Sequence, residues 1–126
     1  MNGIITVFKA LSDRNRFRVV LALTRHSELC ACQITEFLQV TGATASRHMG
    51  LLISCGLVIS RKEGRWVYYR LARDKPSFKV LIEWVKQQTA GTPDAIEDST
   101  RLAPILSCEP EVLCRNQRGE SWRPKK

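Results

Sequence analysis

A mainly α-helical fold carrying one β-hairpin is what the sequence predicts, on three observations. Residues 4–11, 17–24, 31–38, 41–52 and 78–88 space their apolar side chains as helices do, giving about five helices. Residues 57–61 and 66–71 are rich in β-branched and aromatic side chains, alternate, and flank a glycine-containing turn. With 126 residues, 44% of them hydrophobic and 25% charged, the chain can bury one core of ordinary size.

The elements follow in order. Ile4, Ile5, Val7, Phe8 and Leu11 make a first helix too apolar to stand alone. Ser12 is the expected N-cap of the second, with Asp13 in its favourable first turn and Phe17, Val20, Leu21 and Leu23 inward. A turn at 26–28 leads to a short third helix over 31–38, with Ile34, Phe37 and Leu38 inward. Gln39 and Val40 connect it to a fourth, capped by Thr41 and closed by Gly56. Two helices joined so tightly form a helix-turn-helix. The hairpin that follows, with Arg61, Lys62 and Arg65 at its expected tip, makes the arrangement a winged helix-turn-helix. Pro76 opens the last clear helix, over 78–88. The first and last helices are the natural pair to bury each other's apolar stripes across a dimer axis. Residues 1–90 thus form a DNA-binding and dimerisation domain. Residues 91–126, interrupted by four prolines, are expected to be a mobile cysteine-containing tail, with a short helix conceivable near 95–106.

The fourth helix carries the chemistry that reads nucleic acid. Ala45, Met49 and Leu52 face inward, while Thr44, Ser46, Arg47 and His48 are assigned to the outer face, where such side chains reach base edges and phosphates. Gly42, Ala43 and Ala45 keep its first turn slim. The charge agrees: residues 1–90 hold 14 Lys and Arg against 6 Asp and Glu, whereas residues 91–126 hold 6 of each. The whole net charge of +8 therefore sits on the folded part, as a DNA-binding surface requires. The basic wing suits a phosphate backbone.

The stretches Ala10-Leu-Ser-Asp-Arg-Asn-Arg, Glu28-Leu-Cys-Ala-Cys, Ala45-Ser-Arg-His-Met, Gly56-Leu-Val and Arg61-Lys-Glu-Gly-Arg-Trp-Val-Tyr-Tyr-Arg-Leu71, in that order, resemble the arsenical-resistance repressor family (ArsR/SmtB) from about residue 4 to residue 88. The resemblance implies a winged-helix homodimer on double-stranded DNA with an inverted-repeat operator, released when a metal or metalloid binds. One departure is plain. Where the family often has a Gln-Ser pair before the recognition-helix threonine, this chain has Gly42 and Ala43.

Cys30-Ala-Cys32 is the sharpest chemical feature. Two thiolates two residues apart are soft ligands for As(III), Sb(III), Cd(II) or Pb(II). On a regular helix they would point about 200° apart, so sharing one centre requires the start of the third helix to unwind or bend. Read by spacing alone they are better taken as small, partly buried hydrophobes. The resemblance favours ligation, because its arsenic and cadmium sensors place thiolates there. The family's usual third thiolate falls on Thr35, a poor donor for a soft centre, so Cys108 and Cys114 become the candidate additional ligands. A monoalkylated arsenical would need only two. Cys55 is read as core. With two histidines, His26 and His48, and none in the last helix, an imidazole zinc site is not expected.

The expected function is an As(III)- or Sb(III)-responsive transcriptional repressor, with no cofactor beyond the inducer. The alternatives are a Cd(II)- or Pb(II)-responsive repressor, or a regulator switched by thiol oxidation. No catalytic constellation stands out, so an enzyme is not expected. The absence of a long apolar run or signal-like leader makes cytoplasmic location, away from membranes, the expectation.

Overall fold

Short polar caps set several of the helix ends. The computed structural model describes residues 1–117, and of residues 110 and 114–116 the backbone only. Helix α1 is Asn2–Leu11, and Ser12 closes it, its hydroxyl donating to the Lys9 carbonyl. Helix α2, Arg14–Arg25, begins one residue later than expected. Its N-cap is Asp13, whose carboxylate accepts the Arg16 N–H at 3.1 Å. A two-residue strand β1, Leu29–Cys30, was not foreseen. Helix α3 (Ala31–Leu38) and helix α4 (Gly42–Ser54) meet at a tight turn, where Gln39 takes the left-handed conformation and Thr41 caps α4 through the Thr44 N–H. Gly56 follows α4 at φ 89°, a conformation glycine adopts without steric cost, and turns the chain into the hairpin.

Strands β2 (Val58–Glu63) and β3 (Trp66–Leu71) pair antiparallel, and β1 joins the other side of β3, so the sheet order is β1-β3-β2. Glu63 stands opposite Trp66, leaving only Gly64 and Arg65 in the turn. Helix α5 spans Pro76–Thr89. Phe37, Leu23, Ile34, Met49, Leu52, Leu57 and Leu71 form the fully buried centre between α2, α3, α4 and the base of the hairpin.

The described residues form seven helices rather than about five, and the difference lies after residue 91. Helix α6 (Pro93–Ser107) packs on α2 and α3, and helix α7 (Pro110–Gln117) packs on α3. The expected mobile tail is therefore helical over most of its described length. The physical reason is a sparse apolar stripe, Ala95, Leu102 and Ile105 on α6 and Leu113 on α7, all buried. Each fully buried leucine or isoleucine adds about 1.5–3 kcal/mol. Prolines 93 and 110 sit at helix starts, where the missing N–H costs nothing. Among the described residues, Pro104 alone lies inside a helix. Three arginines of α2 fasten α6 from the rim: Arg18 Nε and Nη2 donate to both Asp98 carboxylate oxygens at 3.0 and 3.1 Å, Arg14 pairs with Asp94, and Arg25 bonds Ser99.

Candidate nucleic-acid interface and thiol site

The outward face of α4 is built from what its inward face leaves over. Ala45, His48, Met49 and Leu52 recur at i, i+3, i+4 and i+7 and are all buried. Ser46 and Arg47 are exposed beside the bare positions Gly42, Ala43 and Gly50. Thr44 is half-buried, and its hydroxyl accepts from that of Thr41 at 3.0 Å. Arg47 and Ser46 are thus free to meet a ligand, and the glycine-rich surface around them permits close approach.

His48 does not join them. It is only 6% exposed, so the outer-face assignment is corrected: the spacing from Ala45 and to Leu52 already placed it in the apolar stripe. Arg16 Nη1 lies 3.1 Å from His48 Nδ1. A guanidinium can only donate, so Nδ1 accepts and the neutral ring carries its proton on Nε2. Arg16 Nε also donates to the Ala10 carbonyl at 2.8 Å, tying α1, α2 and α4 together. Burial holds His48 below its ordinary pKa; Asp13, 3.9 Å away, opposes this, and Arg16 and Arg47 reinforce it.

The wing differs from expectation in one respect. Arg61 is not at the tip but three pairs back, opposite Tyr68. Its Nε and Nη2 donate to Glu28 Oε2 and Oε1 at 2.6 and 2.8 Å, and its Nη1 donates to Glu63 at 2.6 Å. The hydrogen bond from Arg61 is the main reason the Glu28 carboxyl is held below its usual range. Lys62 and Arg65 are exposed, Arg65 lying 5.1 Å above the Trp66 ring. Lys62 is exposed, Arg65 makes only a long, exposed ion pair with Glu111 at 3.9 Å, and Arg61 is held by two carboxylates, so Lys62 and Arg65 are the wing cations best placed to meet a phosphate backbone.

The two central cysteines sit astride a change of backbone. Cys30 is the last residue of β1 and the N-cap of α3, at φ −86° and ψ 161°, whereas Cys32 lies in the helix's first turn. Cys30 is therefore already extended, and the two cysteines do not sit on one regular helix. Its N–H donates to Gln33 Oε1 at 2.9 Å, and its sulfur faces the N–H groups of Gln33 and Cys32. Burial nonetheless pushes the Cys30 thiol up, the N–H groups pulling it only partly back. Cys30, Cys55 and Cys108 carry free thiols, and Cys32 is disulfide-bonded.

The remaining candidates sort by position. Cys55 is half-buried and donates to the Leu52 carbonyl, as a core cysteine does. Cys108 caps α6 and packs against the core. Cys114 is a residue of α7, the helix laid across α3, but its side chain lies outside the described residues. The α7 contact runs beside the cysteines: Gln117 Nε2 donates to the Cys32 carbonyl at 2.9 Å. Thr35 spends its hydroxyl on the Ala31 carbonyl at 2.8 Å, so it offers a soft centre nothing. Among the described residues, no group of three or more His, Cys, Asp and Glu side chains is placed to hold a metal ion. With the Cys32 disulfide reduced, Cys30 and Cys32 would offer two soft donors at the mouth of α3, and a third would come from α6 or α7.

Glu28, Arg16 and Gln117 were not singled out from the sequence. Nothing local marks them, since each acts through a residue at least 32 positions away or on another helix.

A family model described as bacterial regulatory protein, arsR family, matches residues 13–60. Over 104 residues, 79% of this chain and 77% of the relative, the chain is 37% identical to the arsenic resistance transcriptional regulator ArsR1 of Pseudomonas putida. Over 77 residues, 61% of this chain and 62% of the relative, it is 43% identical to the cadmium resistance transcriptional regulatory protein CadC homolog of Staphylococcus aureus. Its fold is similar to the homodimeric winged helix-turn-helix DNA-binding domain Mb0332 from Mycobacterium bovis, with a TM-score of 0.59 and 30% identity across 70% of this chain and 79% of that one.

Proposed function

The chain belongs to the bacterial arsR family of DNA-binding transcriptional regulators, and from that premise we propose that it is a homodimeric operator-binding repressor released by As(III) or Sb(III). The observation that carries the reading is the pair of buried cysteines at the β1–α3 junction, one extended and one helical, directly ahead of the helix-turn-helix.

Arg47 and Ser46 on α4 read the major groove, Thr44 stiffens the cap beside them, and Lys62 and Arg65 hold the flanking phosphates. Ile4 and Phe8 on α1 and Val80 and Trp84 on α5 are exposed, which supplies the apolar area that a second copy would cover.

The chemistry favours a metalloid over a divalent ion. Arsenious acid condenses with thiols, two sulfurs replacing two hydroxyls and releasing two waters, so no net proton has to leave. Cadmium or lead must instead expel the thiol protons, which makes their binding the more pH-dependent of the two. A third sulfur from Cys114 of α7, or from Cys108, would displace the last hydroxyl. The packing of α7 on its own α3 supports donation within one chain. A bound centre draws Cys30 and Cys32 together and strains the start of α3, against which α4 is packed.

The test is an operator-shift titration, the duplex selected by the protein from a random pool, against arsenite, antimonite, cadmium, lead and peroxide. Arsenite and antimonite are expected to release the reduced protein near stoichiometry. Cys30→Ser and Cys32→Ser should bind DNA normally and not be released. Normal release of both variants would overturn the reading. The disulfide at Cys32 favours one second reading, a thiol-redox regulator. Release by peroxide alone, reversed by a reductant, would establish that instead.

A further inference from the structure

Cys30, Tyr68 and Arg61 form one row across the three-stranded sheet: Cys30 is registered against Tyr68 on one side of β3, and Arg61 against the same Tyr68 on the other. Arg61 lies over the Tyr68 ring, 4.5 Å from its centroid. From there its guanidinium reaches over β3 to Glu28, two residues before Cys30, and binds that carboxylate through two parallel hydrogen bonds of 2.6 and 2.8 Å. The fork geometry fixes orientation as well as distance. Residues 28–30 are thus joined to the wing twice, once by the short β1–β3 pairing and once by this side-chain bridge.

We propose that Glu28–Arg61 is a strut that positions the wing and carries the state of the Cys30 thiol to it, so that inducer release acts through the hairpin as well as through α4. This rests on the functional reading above. β1 is only two residues long, so Glu28 lies one residue before it and two before Cys30. A centre that pulls Cys30 toward Cys32 therefore moves Glu28, and Glu28 moves Arg61, on the same strand as Lys62. Glu63, whose carboxylate takes the Arg61 Nη1 at 2.6 Å, extends the bridge to the last pair before the turn. Arg61 on this account is a positioning residue rather than a DNA contact.

The experiment uses the full chain, the selected duplex and arsenite, with Glu28→Gln, Arg61→Gln and the charge-swapped double variant E28R/R61E. Three readouts are taken: DNA affinity with and without arsenite, thiol–arsenic absorbance in the near ultraviolet, and 19F resonance of 5-fluorotryptophan at Trp66. Arsenite binding should be unchanged in every variant. The arsenite-induced loss of DNA affinity should shrink by roughly tenfold in E28Q and in R61Q, within the usual range of coupling between sites, and recover in the double variant. The Trp66 resonance should shift on arsenite addition in the wild type and stay fixed in both single variants. If R61Q instead loses affinity without arsenite while E28Q does not, Arg61 is a DNA contact and the strut is refuted. If the wild type is released and E28Q is released equally, the strut falls and the repressor reading stands. If arsenite neither binds nor releases the wild type, the repressor reading falls and the strut with it.

Discussion

Two ion pairs join the same two helices, use the same residue types, and differ in burial. Arg18–Asp98 has side chains 16% and 22% exposed and two parallel hydrogen bonds, whereas Arg14–Asp94 is 76% and 73% exposed with one. The exposed pair should couple by about 0–0.5 kcal/mol, since solvent screens it and two long side chains must be ordered. The sheltered pair should couple by about 1–2 kcal/mol, the range for charge-assisted hydrogen bonds after allowing for residual exposure. Single variants would mislead. Arg18→Gln also loses the guanidinium 4.8 Å above the Phe37 ring, and Asp94→Asn also loses a charge in the first turn of α6. Double-mutant cycles cancel both terms. The assay is urea unfolding by circular dichroism of Arg18→Gln/Asp98→Asn and Arg14→Gln/Asp94→Asn cycles, in 50 and 500 mM salt. The Arg14 coupling should vanish in high salt and the Arg18 coupling should persist. Amide exchange across 93–107 should accelerate in Asp98→Asn. Equal couplings, or an Arg18 coupling below about 0.5 kcal/mol, would refute the claim that burial of this pair fastens α6.

Arg47→Ala should weaken binding to the selected duplex by about 1–3 kcal/mol at fixed salt without changing the melting temperature, as checked by fluorescence anisotropy and thermal unfolding. His48 is held below its ordinary value of 6.5 in the folded state, so its contribution to stability is complete above about pH 6.5 and is lost as pH falls through the lower folded-state value. Stability measured from pH 7.5 to 5 should decline in the wild type and decline less in His48→Gln; identical slopes would exclude His48 as the titrating group. Gly56→Ala should destabilise by about 1–2 kcal/mol, because φ 89° costs any residue with a Cβ and the nearest ring atom, at 3.4 Å, adds little. Gly50→Ala, in open space on α4, should stabilise by about 0.5–1 kcal/mol in the same unfolding assay.

Much of the fold was legible in the residues alone because its signals are local. Thr41 as a cap, Gly56 as a stop, Pro76 as a start and the alternation of residues 66–71 each act within a turn or a strand, and each stands where expected. The position of Cys30 and Cys32 at the start of α3 was likewise legible, being a matter of local spacing. Residues 93–117 were harder: their apolar positions are few, and they become helical cover only because α2 and α3 offer a surface to bury them on.

What the tertiary structure decided is which polar side chains remain available. His48 and Arg61 look like DNA contacts from composition, yet one is turned inward onto Arg16 and the other is taken by Glu28, 33 residues earlier. Sequence determines local backbone preference and the order of elements. The fate of a charged or polar group depends instead on which distant partner the packing brings within about 3 Å, where a hydrogen bond can hold it.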